Sequence, residues 1–357
     1  MVSDTALVLQ SDLNLRLIPV GRWPGIRVLA WAGNELYASR GYEMLRALVR
    51  DGQVQWQAIA HLKPKLWRRV SCKSRLASRL VRDGFHALTI SSSGQLVGAV
   101  PGAIVTLKAG EREFRTTHKI LRGTRPLHLG STPDNQIFFG EYFDNSARDE
   151  VHIYASNDGG DTWDVAYVFP KGSIRHIHNI AYDQWADCLW ILTGDNGAEC
   201  RILRASRDLK TIDVVISGNQ QARAVALVIT AEGLYFSSDT PLESNHVYHL
   251  DRAGKLVALC NLESSSIQGC QVGTAVFFST MVEPSDVNLA SQVRLYGSRS
   301  RGPWCALLSW EKDSLPMRFF QYGNAFLPDG SNTTNYLALT TVAVKADDLV
   351  TSIFQVQ

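Results

Sequence analysis

Residues 178–194 read HNIAYDQWADCLWILTG: two short apolar runs separated by Asp183, Asp187 and small residues. Each run is too short for an ordinary helix and both are bounded by turn formers, so the stretch predicts strand, tight turn, strand. CRILRAS (200–206) and TIDVVI (211–216) follow and complete a unit of four strands. Working outward, the same opening recurs as RVLAWAGNELYAS (27–39), HALTISSSGQLVGAV (86–100) and RAVALVITAEGLYFSS (223–238). Weaker copies are HLGSTPDNQIFFGEY (128–142), QGCQVGTAVFFST (268–280) and QYGNAFLPDG (321–330). VHIYAS and TWDVAYVF extend the copy at His128, and HVYHLD and KLVALC extend the copy at Arg223. A four-strand unit of about 50 residues is the sequence signature of a propeller blade. The reading is therefore all-β, a single propeller spanning residues 1–357, with seven four-stranded blades and six as the runner-up. The last copy, YLALTTVAV and LVTSIFQVQ, lacks one strand. LVLQ (7–10) or LRLIPV (15–20) is expected to supply it and close the ring by pairing the two ends of the chain.

The composition agrees with a globular domain: 45% hydrophobic, 20% charged, net charge +2. That balance excludes disorder, and it provides no global field for nucleic acid. The first residues have no basic segment followed by an apolar core. No apolar run reaches the roughly 20 residues of a membrane span. Six cysteines (Cys72, Cys188, Cys200, Cys260, Cys270, Cys305) lie scattered without CxxC spacing, which reads as reduced thiols in a cytoplasmic protein.

SNDGGDTW (156–163) fits the pattern S-x-D-x-G-x-T-W. Asp158 can accept hydrogen bonds from turn amides, Gly160 tolerates positive φ, and Trp163 can pack between blades. The motif resembles the Asp box (BNR repeat) of the sialidase-like propeller superfamily. With GEYFDN (140–145), SIRHIHNIAYD (173–183), LWILTGDNGAE (189–199) and QARAV (221–225), it also resembles bacterial glycosyl-hydrolase-like propeller proteins of no established activity. The resemblance covers about residues 80–260 and implies carbohydrate. The arginine triad and Tyr/Glu pair of true sialidases are not found in register.

Ligands of propellers gather where the first strands begin and the second strands end. The first-strand starts carry Arg27, His86, Arg125, His128, Arg175, His176, His178, Arg223, Gln268 and Gln321; the loops after second strands carry Glu141, Tyr142, Asp144, Asp195, Glu199, Asp239, Glu243, Glu283 and Asp286. An inner ring of Arg, His and Gln beside acidic loops suits a carbohydrate bearing carboxylates, since Arg grips anions and His or carboxylates move protons. His176 and His178, two apart in a strand, share a face, and two imidazoles there could hold a metal or be hydrogen-bonded structural groups. The candidates for proton transfer are His176, His178, Glu141, Tyr142 and Asp195, with Glu141 and Tyr142 facing opposite ways by alternation. The candidates for holding substrate are Arg175, Arg223, Gln221, Arg125, His128 and His86. Structural readings stand beside these: histidines filling the channel, Tyr142 packed between blades, Asp195 capping a turn. A divalent metal on His86, His128, His178 and Gln268 is a minority alternative; that set resembles the ligands of some seven-bladed uronate lyases.

Residues 60–85, AHLKPKLWRRVSCKSRLASRLVRDGF, break the rhythm between the first and second blades. Lys63, Lys65, Arg68, Arg69, Lys73, Arg75, Arg79 and Arg82 precede the first acid, Asp83, and a broken apolar stripe after Pro64 predicts a short amphipathic helix. It reads as a solvated cover on the disc, a clamp for an anionic chain, or a peripheral membrane contact through 63–82. The functional expectation is a carbohydrate-active propeller binding or acting on an acidic oligo- or polysaccharide, glycoside hydrolase-like or polysaccharide lyase-like if an enzyme. The alternatives are a non-catalytic scaffold for sugar or protein, and a small-molecule biosynthetic enzyme using the same channel.

Overall fold

The computed structural model describes residues 7–8, 15–299 and 302–357. Seven antiparallel sheets follow one another around a ring. Their first strands are Arg27–Gly33, Ala87–Ile90, Gly130–Ser131, Ile177–Asp183, Ala224–Thr230, Ser266–Val272 and Asn324–Phe326. Each start lies within three residues of the sequence expectation, and the six-blade alternative falls. The sheets are called blades 1 to 7 in that order.

Burial explains why blades read as apolar runs rather than clean alternation. A second strand such as Cys188–Thr193 is buried at every position, because both its faces meet neighbouring blades. The fourth strand of the same blade, Ile212–Ser217, lies at the rim and is mostly exposed. Each large apolar side chain buried between blades contributes about 1.5–3 kcal/mol.

Leu17–Pro24 pairs with Val350–Val356 and forms the outer strand of blade 7, so LRLIPV closes the ring. Leu7–Val8, the described part of LVLQ, instead pairs outside Cys305–Glu311 of blade 6. A further strand was not expected. Asp329–Asn332 runs parallel to Ala30–Gly33, inside blade 1, and touches the first strands of blades 2 and 6. Gln268 accepts from the Leu327 amide at 3.2 Å, and His128 Nδ1 lies 3.1 Å from Asp329. The axis is therefore plugged here by chain, and His128 and Gln268 hold the plug.

The Asp-box turn joins the third and fourth strands of blade 3. Asp158 accepts from the amides of Asp161 (3.0 Å) and Thr162 (2.9 Å) and from the Thr162 hydroxyl (2.6 Å). Gly160 has φ +98°, and a Cβ there would meet Val97 of blade 2 at 2.5 Å. The Trp163 indole donates to Gly160 O at 3.2 Å and to Thr117 of blade 2 at 3.3 Å, which seats the turn on its neighbour.

The basic insertion forms two short helices, Leu66–Ser71 and Arg75–Val81, where one was expected. The break falls at Cys72–Ser74, and Ser74 caps the second helix by accepting from Ala77 N. Arg79 is buried, bonded to Asp313 (2.6 Å), Asp348 (3.0 Å) and the Phe320 carbonyl, so the second helix is bolted to blades 6 and 7. Lys63 pairs with Glu113, Arg68 with Asp83 and Arg75 with Asp348. No helix among the described residues is long and apolar enough to cross a membrane.

Candidate functional site

The rim around the axis divides into two polar clusters. The first lies on blades 3 to 5. His178 sits at a register shift between Ile177 and Asn179 of the first strand of blade 4. A bulge of this kind re-aims side chains, and here both His178 and Asn179 reach blade 5. His178 Nδ1 bonds Ala224 O at 2.8 Å and Asn179 Nδ2 bonds Val225 O at 2.9 Å. His176 Nδ1 bonds Phe143 O of blade 3 at 3.0 Å. The two Nε2 atoms then face each other at 3.0 Å.

Asp195 comes under this pair because the chain folds back at Gly194. Its φ is +81°, and a Cβ would meet Glu199 O at 1.9 Å, so only glycine fits. Asp195 Oδ1 lies 3.3 Å from His176 Nε2 and 3.4 Å from His178 Nε2. Arg175 Nη1 is 3.3 Å from Asp195 Oδ2, and its Nη2 donates to Asp144 at 2.6 Å. Arg223 lies 3.5 Å from Asp195 and 3.8 Å from Asp239. Burial alone would raise the Asp195 carboxyl, but its contacts with His176 and His178 hold it well below the usual carboxylate range. Asp239 goes the other way, raised to about 6 by burial, with Arg223 opposing and Glu283 assisting. The Tyr142 ring packs against His176 at a tilt of 44°, centroids 4.4 Å apart, and burial lifts its phenol to about 12.

The second cluster lies on blades 1 to 3. Neutral His86 donates from Nε2 to Arg82 O at 2.7 Å, and its Nδ1 faces Arg27 Nη1 at 3.4 Å. Arg27 stacks on Phe326 at 3.9 Å, and its buried Nε has no hydrogen-bond partner among the described residues. Burial and the neighbouring Arg125 lower Arg27 to about 9; burial and Arg82 lower Arg125 to about 10. Burial, Arg125 and Arg27 push His86 well below its ordinary value. Among the described residues no carboxylate pairs with Arg27, Arg82 or Arg125.

The structure brings together His176, His178, Tyr142, Asp195, Arg175 and Arg223, and separately His86 and Arg125. Glu141 belongs to neither group. It is buried, held by both arms of Arg122 and by the His152 amide at 2.9 Å. Glu141 and Asp195 are thus committed to different networks. Gln221 bonds Glu243 at 2.6 Å, while its neighbour Gln220 reaches the Asp195 carbonyl at 3.1 Å. The set His86, His128, His178 and Gln268 is not assembled. Among the described residues, His176, His178 and Asp195 are the three potential metal ligands whose donor atoms lie within 4.8 Å of one another. Sequence reading missed Arg82 as part of the rim. Its left-handed φ of 52° at the end of the second helix turns its carbonyl onto His86, a step that composition alone does not signal.

No family model and no curated protein matches the chain. Similar solved structures include a chain of the Mitotic Checkpoint Complex, with TM-score 0.56, 10% identity and coverage of 97% of this chain and 94% of that one. The WD40 β-propeller domain of Doa1 gives 0.54, 11%, 96% and 96%. The Myceliophteria thermophila Cps50 (Swd1) β-propeller domain gives 0.55, 12%, 96% and 100%. At such identities the likeness shows the propeller fold, and the sialidase-like resemblance finds no counterpart in these three.

Proposed function

We propose that this chain is a non-catalytic binding propeller that holds an acidic segment of a protein partner at the rim of blades 1 to 3. The observation behind this reading is a cation cluster, Arg27, Arg82 and Arg125 around a neutral His86, with no carboxylate partner among the described residues. Like charges gathered in a half-buried site cost stability, and a bound carboxylate would offset that cost. Glu141 is engaged by Arg122 and Asp195 by the histidines and arginines, which speaks against their serving as the free acid/base pair of a hydrolytic reading. A plugged axis also favours recognition at a surface rim over chemistry in a channel. Among the similar folds, one belongs to a complex and one is a WD40 domain, and we carry an assembly role to this chain as a proposal. We place the protein in the cytoplasm on the same footing, since all six cysteines are free thiols.

An acidic saccharide presents the same carboxylate, so the carbohydrate reading implied by the Asp box draws support from the same cluster. Fluorescence anisotropy separates the two. Labelled Asp/Glu-rich peptides, length-matched Asn/Gln peptides, and neutral and uronate oligosaccharides are titrated into wild type and Arg125→Ala. The expected result is binding of the acidic peptide, weakened at least ~10-fold in the variant, equivalent to about 1.4 kcal/mol. Binding confined to uronates would return the carbohydrate reading. Absence of binding to every acidic ligand by the folded protein would sink the proposal.

A further inference from the structure

We infer that His176, His178 and Asp195 form a binding site for one first-row divalent cation, with zinc as the reference ion. This inference does not rest on the anion reading, which concerns the adjoining sector of the rim.

The protonation pattern follows from the partners. A carbonyl oxygen only accepts, so each imidazole donates its Nδ1–H, His176 to Phe143 O at 3.0 Å and His178 to Ala224 O at 2.8 Å. In the neutral rings both Nε2 atoms then carry bare lone pairs, and these point at each other across 3.0 Å. Asp195 Oδ1 adds a third electron-rich atom at 3.3 and 3.4 Å. Three donors converging on one point repel unless a positive centre, a proton or a metal ion, sits among them. Ligands about 2.0–2.1 Å from a metal lie ~3.0 Å apart at right angles and ~3.4 Å apart in a tetrahedron. The three separations fall in that interval. Two imidazoles and a carboxylate on one side of the ion leave other positions open, as in known facial sites.

Two features outside the triad fit a metal centre. Ligand histidines almost always donate the remote N–H to a carbonyl or carboxylate, which fixes ring orientation, and both do so here. The nearby cations have carboxylates of their own: Arg175 has Asp144 at 2.6 Å, and Arg223 faces Asp239 at 3.8 Å. His176 and His178 are 5% and 2% exposed, so an ion would be largely shielded. Through the two carbonyls it would tie blade 4 to blades 3 and 5.

The test uses untagged full-length protein, stripped with a chelator, dialysed, and titrated with Zn²⁺ or Co²⁺ alone. The expected result is one equivalent of metal per chain, a visible cobalt spectrum without thiolate charge-transfer bands, and a raised Tm that chelator reverses. His176→Gln and Asp195→Asn, checked for folding by circular dichroism, should each lose at least ~10-fold in affinity. No metal binding by wild type would overturn the proposal, as would binding undiminished in the folded variants. If the variants fail to fold, wild type decides alone. Thiolate bands would put the ion on a cysteine, and an imidazole proton shared between the rings and unmoved by Zn²⁺ would leave no vacancy for a cation; either overturns the site.

Discussion

On blades 4 and 5 the rim balances its charges internally: Arg175 and Arg223 sit among Asp144, Asp195 and Asp239. On blades 1 to 3 it does not: Arg27, Arg82 and Arg125 lie about His86, and among the described residues none of them has a carboxylate partner. Both sectors arise from the same strand positions, and both present arginine beside histidine. What differs is the loop after the second strand. Blades 4 and 5 place Asp195 and Asp239 there, buried at the rim. Blade 3 sends Glu141 away to Arg122. A side chain's place in the repeat therefore fixes its address, while the loop after the second strand decides whether it is a structural ion pair or a binding group without a carboxylate partner among the described residues.

The largest effect should come from breaking the balanced sector. Asp195→Ala removes the acid that Arg175 and Arg223 share, leaving Asp144 to the first and Asp239 to the second. Breaking such a buried pair costs about 3–5 kcal/mol, which chemical denaturation monitored by tryptophan fluorescence would read. The matching change in the unbalanced sector, Arg125→Met, should leave stability unchanged or raise it by about 1 kcal/mol, because it removes a cation with no partner. If both substitutions cost the same, the two sectors are not different in kind and the comparison fails.

The pH dependence sharpens the same contrast. Burial raises Asp239 to about 6 in the folded protein, above an unfolded carboxyl of about 4. The native state thus holds this proton more tightly than the unfolded chain does. The stabilisation is complete below about pH 4 and is lost as pH rises through about 6. Between pH 4 and 7, Asp239→Asn should remove roughly 1–3 kcal/mol of that decline. Identical pH profiles for the variant and wild type would contradict it.

Much of this was legible from the chain alone, and the failures have physical causes. Blade starts were readable because each first strand opens an apolar run after a polar turn, as in RAVALVIT after GNQQA. Ring closure by LRLIPV followed from a missing strand. Asp329–Asn332 was invisible, because PDGSN has the composition of a turn and pairs in parallel with residues some 300 positions away; Gly330, at φ +86° with Trp31 O 2.3 Å from its absent Cβ, shows how tightly it lies. Alternation set Glu141 and Tyr142 on opposite sides, but it carried no sign that Arg122 would claim Glu141. The metal candidates were only partly legible. Two histidines on one strand face, His176 and His178, could be read as a pair able to hold a metal, whereas joining His178 to His86 and His128 rested on their shared repeat position and is not what the fold assembles; Asp195, delivered by a glycine turn, was not readable as the third donor.

The smallest expected effect concerns Arg82, the exposed member of the unbalanced sector. Its guanidinium influences both Arg125 and His86, yet exposure means that water and salt screen it. An exposed charge interaction is worth about 0.2–1 kcal/mol, so Arg82→Gln should weaken acidic-peptide binding only about 2–5-fold at low salt. The Debye length shrinks from about 10 Å at 0.1 M salt to about 3 Å at 1 M. Across that range the Arg82→Gln deficit should vanish, while the deficit of Arg125→Ala should persist, because a half-buried cation is screened far less. Anisotropy titrations of both variants across a salt series would read the difference. Parallel salt dependence in the two variants would mean that Arg125 meets its ligand through solvent, and the rim of blades 1 to 3 would then attract anions without holding them.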